Sequence, residues 1–292
     1  MKFFTDPTVA QHHAENTASV LPPLQVAAER VATTVAQGVH GRRRVGQGET
    51  FWQFRPYHEG DSTSRVDWRQ SAKSRQVFVR ETEWEAAQSV WLWCDRSPSM
   101  DYASSSDLPK KGARAALLAL ALASLLMRGG ERFGQLGTGR LPISGRAAFD
   151  RFAQSVVRED AESLSLPVVE LLPRHGQVVL FGDFLSPLSE ITEAVMSIAT
   201  QGVNGSLVQI IDPAEETLPY SGRVTFTGME HEGKTTIGRV ESVRGSYLQK
   251  QKAHCQAVTD IARKAGWHYQ YHRTDNTPER ALLSLFVGLA VR

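Results

Sequence analysis

From residue 88 to its C-terminal end the chain repeats one unit: a short apolar run, a polar loop, then a longer amphipathic stretch. The short runs are Ser89 to Cys94 (SVWLWC), Arg132 to Leu136, Gln177 to Phe181, Ser206 to Ile211 and Trp267 to Tyr271. Between and after them lie helical stretches: one ending near Arg128, then Ala147 to Val157, Ser163 to Leu172, Pro187 to Thr200, Val243 to Lys264 and Pro278 to Leu289. Strands that are apolar at nearly every position need cover on both faces. The order therefore demands an α/β fold, a Rossmann-type mostly parallel sheet with crossover helices on both faces. Asp107 or a neighbour is expected to cap the first of these helices. Val224 to Met229 and Thr235 to Val240, joined by the polar turn Glu230 to Lys234, read as a hairpin inserted near residues 220–240.

Ahead of this region the pattern changes twice. Residues 1–41 read as a tail followed by one helix, Leu24 to Gln37, which stops at Gly38 and Gly41. Residues 42–87 are basic at their start and rich in aromatic residues, with Gly46, Gly48 and Gly60 as turn points and β-type residues around Gln76 to Arg80. They read as a small β-rich subdomain, which leaves 88–292 as the α/β domain.

Composition narrows the function classes. Thirty-three basic against thirty-one acidic residues leave a formal charge of +2, so no global field draws the chain to nucleic acid. Arg42, Arg43 and Arg44 form the one basic cluster, and it reads as favourable charge at a helix end. The two cysteines, Cys94 and Cys255, lack metal or redox spacing and suit a reducing cytoplasm. The N-terminal MKFFTDPTVA has no signal-peptide core, and the apolar run from Ala115 to Met127 falls short of the ~20 residues that a membrane span needs. A cytoplasmic protein with no direct membrane insertion is expected.

The segment with the sharpest chemistry is Cys94-Asp95-Arg96-Ser97-Pro98-Ser99-Met100, at the C-terminal end of the first strand of the α/β region. Ligand sites of open α/β sheets form at such ends. One carboxylate and two hydroxyls are hard oxygen donors of the kind Mg²⁺ or Mn²⁺ takes while keeping several waters. A second carboxylate, Asp183, closes the run VVLFGD and lies beside Asp95 if those strands are neighbours. Ser and Asp between a strand and a helix also act as caps and turn formers, so a metal-free version of the loop stays open.

Asp-Arg-Ser-Pro-Ser-Met after an apolar strand resembles the metal-dependent adhesion motif of von Willebrand factor A domains, and Phe181-Gly182-Asp183-Phe184 resembles their later aspartate loop. The resemblance implies a metal site of Asp95, Ser97, Ser99 and Asp183. The threonine that completes it in that family has no counterpart in Glu159 to Ser163, where Ser163 is the available substitute.

Residues Gly46 to Glu81 closely resemble the signature of the bacterial domain-of-unknown-function-58 family. The matching positions are Arg55, Tyr57, Gly60, Asp61, Arg65, Val66, Asp67, Trp68 and Lys73, with Val66 where that family has isoleucine. The similarity extends through Asp212-Pro213-Ala214-Glu215-Glu216 and covers roughly residues 24–290. Read from the residues, Arg55, Asp61, Arg65 and Asp67 with Tyr57 and Trp68 suggest an ion-paired, aromatic-anchored wall. An exposed part of it would serve as a docking face.

The resemblance implies a non-enzymatic protein-interaction module that acts with a MoxR-type AAA+ ATPase in assembling or maturing other proteins. Two rivals remain: a metal-free scaffold that binds through the Arg55 to Trp68 segment, and a metal-dependent hydrolase with Asp183 as base. Against the hydrolase, two neutral hydroxyls do little to lower the pKa of a bound water, and no histidine falls near Asp95 or Asp183 in the sequence.

Overall fold

The computed structural model describes residues 23–36, 51–57, 66–73, 76–82, 88–157, 164–230 and 233–290. The basic cluster Arg42 to Arg44 lies outside them. The chain divides into two compact units, residues 42–87 and a larger one made of residues 1–41 and 88–292. Helix α1, residues 23–36, belongs to the larger unit and buries Ala28, Val31, Ala32 and Val35 in its core. Those positions recur at helical spacing, so this segment is part of the α/β core and not an appendage.

The smaller unit pairs β1 (Phe51–Pro56) antiparallel with β2 (Phe78–Thr82), with a one-turn helix α2 (Trp68–Ser71) between them in sequence. Asp67 caps α2 by accepting the Gln70 amide at 2.9 Å. The Ser71 hydroxyl ties the helix to β2 by accepting the Phe78 amide at 2.9 Å.

The larger unit is built on five parallel strands: β3 (Ser89–Cys94), β4 (Arg132–Gln135), β5 (Gln177–Gly182), β6 (Asn204–Ile211) and β9 (His268–Arg273), in the order β4-β3-β5-β6-β9. Helices α3 (Lys111–Arg128), α4 (Arg146–Val157), α5 (Leu188–Ala199), α7 (Glu241–Lys264) and α8 (Pro278–Ala290) cover the sheet. Period-two alternation decides which side chain goes where. Val90 and Leu92 of β3 join a core with α1, α3, α4 and α8, whereas Trp91 and Trp93 join a second core with α5 and α7. The Rossmann-type parallel sheet with helices on both faces expected from the sequence is the one that forms. Short α6 (Pro213–Thr217) and the antiparallel hairpin of β7 (Val224–Thr227) and β8 (Lys234–Ile237) lie outside the main sheet. No described helix is long and apolar enough to cross a membrane.

Strand order fixes where a ligand can enter. From β3 the chain goes to β4 on one side and then returns to β5 on the other, so the connections leave β3 and β5 in opposite directions. The crevice of a doubly wound sheet opens at the C-terminal ends of two such strands. Gly205 on β6 is also fixed by packing, because a Cβ there would lie 2.2 Å from the Trp267 ring.

Two expectations fail locally. Asp107 does not cap α3, which starts four residues later behind Lys110 with no side-chain cap. Pro109 disfavours helical geometry at the residue before it, so the helix begins beyond the proline. Residues 164–172 form no helix. Pro167 removes a backbone donor, and Gln201 satisfies the segment instead, accepting the Leu172 amide at 2.7 Å and donating to the Glu170 carbonyl at 3.1 Å.

Candidate functional site

Asp95 follows β3 and Asp183 follows β5, so the two carboxylates meet at the switch point. Asp95 Oδ1 accepts both the Ser97 amide (2.8 Å) and the Ser97 hydroxyl (2.6 Å). Ser97 Oγ lies 2.9 Å from Ser99 Oγ, and Ser99 donates to Asp183 Oδ2 at 2.7 Å. Four of the five residues expected at the site are therefore brought into contact. Ser163 lies outside the described residues.

Gly182 permits this closeness. A Cβ there would stand 2.9 Å from Asp95 Cβ and 3.0 Å from Asp95 Oδ2. After Asp183 the backbone turns through Phe184 at φ 54°, a conformation that costs a non-glycine residue roughly 1–2 kcal/mol. The turn is held by the buried Phe184 ring, by the Leu185 amide on Asp183 Oδ1, and by His254 Nε2 donating to the Phe184 carbonyl at 2.7 Å. Gln209 of β6 donates to the Asp183 carbonyl at 2.8 Å.

Lys111, which sequence reasoning missed, completes the site. Its side chain is fully buried and donates to Asp183 Oδ2 at 2.9 Å and to Glu215 Oε1 at 2.6 Å. The signal was present: Lys111 stands at helical spacing with Ala115, Leu118 and Leu122, on the buried stripe of α3. Burial works against its ammonium, but Asp183 and Glu215 outweigh that and hold the pKa above its ordinary value. Glu215 is itself fixed, because its other oxygen accepts the Asp212 amide in the capping box of α6.

Asp95 carries the unsatisfied charge. Its Oδ2 is buried without a hydrogen-bond partner. Burial first, and the Asp183 charge second, push its pKa up to about 7 against the two bonds from Ser97. Three carboxylates share the crevice with one ammonium. Among the described residues no three His, Cys, Asp or Glu side chains converge as a ready metal cluster. A cation here would depend on the serine hydroxyls and on water as much as on carboxylates. Magnesium and manganese accept such hard donors, and the orphaned Asp95 oxygen is where one would relieve an electrostatic cost. The donor set fits.

One turn along α3, Arg114 binds the other side of the sheet end, donating to the Thr274 and Asn276 carbonyls at 2.8 and 2.6 Å. It also approaches Nε2 of the buried His272 at 3.4 Å. Burial, then the Arg114 charge, lowers the His272 pKa to about 4. The unfolded chain takes up this proton near pH 6.5 and the folded one only near 4. Stability from this residue is complete above about pH 6.5 and is lost as pH falls towards 4, by about 2–3 kcal/mol. Urea midpoints across that window should show the loss, and His272→Gln should flatten it. Burial also pushes the Cys94 thiol up to about 12, which keeps it un-ionised and unreactive.

The second expected set lies on the smaller unit. Arg55 lies on β1 opposite Val79, and Asp67 caps α2. Asp61 and Arg65 lie outside the described residues. Trp68 is 68% exposed and Tyr57 36% exposed, so Trp68 does not anchor a wall. A four-residue helix with no buried position cannot sequester an indole.

The chain is similar to several known proteins. An uncharacterized protein of Mycobacterium bovis, Mb1516, is 24% identical over 280 residues, covering 88% of this chain and 85% of its own length. Rv1480 of Mycobacterium tuberculosis, also uncharacterized, matches to the same extent. Among solved structures, the conserved hypothetical protein BatB from Bacteroides thetaiotaomicron aligns with a TM-score of 0.43 at 16% identity, over 70% of this chain and all of its own. A family profile described as "Protein of unknown function DUF58" matches residues 53–257, which take in most of β1, the Asp95 and Asp183 loops, Lys111 and Glu215. The chain belongs to the DUF58 family.

Proposed function

We propose that this chain is a non-enzymatic protein-binding module whose contact point is the crevice of Asp95, Ser97, Ser99 and Asp183, acting with a MoxR-type AAA+ ATPase in the assembly or maturation of other proteins. The observation that carries the reading is the buried, unpartnered Oδ2 of Asp95 beside a relay of hydroxyls at the sheet's switch point. Mg²⁺ or Mn²⁺ bound there would supply an electrophilic point for a carboxylate of the partner. The chain's own residues do the positioning. Asp95 orients Ser97, Ser97 orients Ser99, and Ser99 and Lys111 together hold Asp183. A hydrolytic role finds little support, since the ring nitrogen that His254 brings nearby is engaged by the Phe184 carbonyl.

Asp95→Asn tests the reading with little structural disturbance. The amide oxygen still accepts from Ser97, and an NH₂ replaces the orphaned, charge-bearing oxygen. Binding of Mn²⁺, followed by electron paramagnetic resonance, is expected to weaken by about 100-fold or more, while the urea midpoint stays equal or rises. Capture of the ATPase should require Mg²⁺ and disappear both in EDTA and in the variant. Equal capture in EDTA, or undiminished Mn²⁺ binding by Asp95→Asn, would sink the proposal.

The exposed Trp68 favours a second contact on the smaller unit. Indoles are frequent interface anchors, and Trp68→Ala should weaken capture of the ATPase without altering Mn²⁺ binding.

A further inference from the structure

Lys111 puts a fixed positive charge inside the donor set. Its ammonium is fully buried, and the Asp183 oxygen it holds at 2.9 Å is the same Oδ2 that receives Ser99 at 2.7 Å. Any cation that draws on this relay therefore shares its charge environment with an ammonium that cannot retreat into solvent. Glu215 prevents retreat within the protein as well. It grips Lys111 at 2.6 Å through Oε1 while Oε2 is spent on the Asp212 amide, and the Glu215 backbone carbonyl accepts the Tyr247 hydroxyl at 2.6 Å. The Tyr102 ring lies 5.9 Å from the ammonium and closes another side.

We infer that Lys111 sets how tightly the crevice holds a divalent cation, acting as a built-in competing charge that keeps the ion exchangeable. This rests on the cation-binding reading above. Asp183 and Glu215 bind Lys111 directly, and Asp95 beside them also feels Asp183 and Glu230, so the negative charge that invites a dication is smaller by one unit than the carboxylates alone would give. A lysine placed only for packing would not need two carboxylates. A lysine placed only to neutralise Asp183 would not need a second acid that is itself pinned by a helix cap. With both, the ammonium becomes a permanent member of the site, and the affinity for an incoming ion follows the charge balance.

The test is a charge series read by Mn²⁺ binding, with electron paramagnetic resonance as the readout. Lys111→Met should bind Mn²⁺ about 10- to 100-fold tighter than the natural chain, and Glu215→Gln should bind it about 10-fold weaker. The double variant Lys111→Met/Glu215→Gln, which restores the original charge sum, should return to within about 3-fold of the starting affinity. Equal or weaker binding by Lys111→Met, with the natural chain still binding Mn²⁺, overturns the role of Lys111 and leaves the cation site standing. Absence of binding by both chains at millimolar Mn²⁺, with both folded, overturns the two together. Binding gained by Lys111→Met where the natural chain has none supports the inference, provided Asp95→Asn abolishes it. If Lys111→Met does not fold, Glu215→Gln decides: weaker binding supports the role, and unchanged or tighter binding overturns it.

Discussion

Lys111→Ala is expected to lower the free energy of unfolding by about 3–5 kcal/mol, the usual consequence of removing one partner from a buried ion pair. The loss comes less from the missing attraction than from what stays behind. Asp183 and Glu215 would stay buried without their ammonium partner in a crevice already holding Asp95, whose Oδ2 has no partner. Adding Glu215→Gln should recover part of the loss, because one stranded charge is then gone. Lys110 is the control: it pairs with Asp101, but their side chains are 56% and 66% exposed, and its removal should cost no more than about 1 kcal/mol. Urea unfolding of the three variants measures this directly. A cost below about 1 kcal/mol for Lys111→Ala would mean that the carboxylates find other partners or protons.

The second large effect is steric. Gly205→Ala would place a methyl group 2.2 to 2.5 Å from three ring carbons of Trp267, and the indole cannot easily move away. It is buried in the core beneath α5 and α7, and its N–H donates to the Val203 carbonyl at 3.1 Å. Either the ring turns and loses that bond, or β6 shifts and disturbs its pairing with β5 and β9. Overpacking of this kind costs about 3 kcal/mol, and the urea midpoint and Trp fluorescence should change together. Trp267→Leu in the same chain should recover stability, since the smaller side chain leaves room for the methyl. If Gly205→Ala alone shifts neither signal, the ring is not seated against β6 as described.

How far the fold could be read from sequence varies with the physical signal available. The strands of the sheet were legible because SVWLWC and VVLFGD are apolar on both faces, which only a covered parallel sheet accommodates. The pairing of Asp95 with Asp183 was legible for a related reason, since each ends such a run. The start of α3 was not, because Asp107 offers a good cap and only the restriction imposed by Pro109 moves the helix onward. Nor was the loop at residues 164–172, whose backbone partner Gln201 is remote in sequence. Lys111 was hidden by its neighbour: Lys110 and Lys111 are the same residue type side by side, and only the helical register separates the exposed one from the buried one. Trp68 left two readings open, a buried anchor and a docking face, and its place on a one-turn helix leaves it in solvent.

The crevice draws its side chains from residues 95–99, 111, 183 and 215, on segments that become neighbours only once β3, β5 and β6 lie side by side. Contacts so distant in sequence form late in folding. The geometry of this crevice is therefore a mark of completeness. A chain cut before Glu215 would carry Asp95, Ser97, Ser99, Lys111 and Asp183 and yet lack the acid that holds Lys111 from its other side.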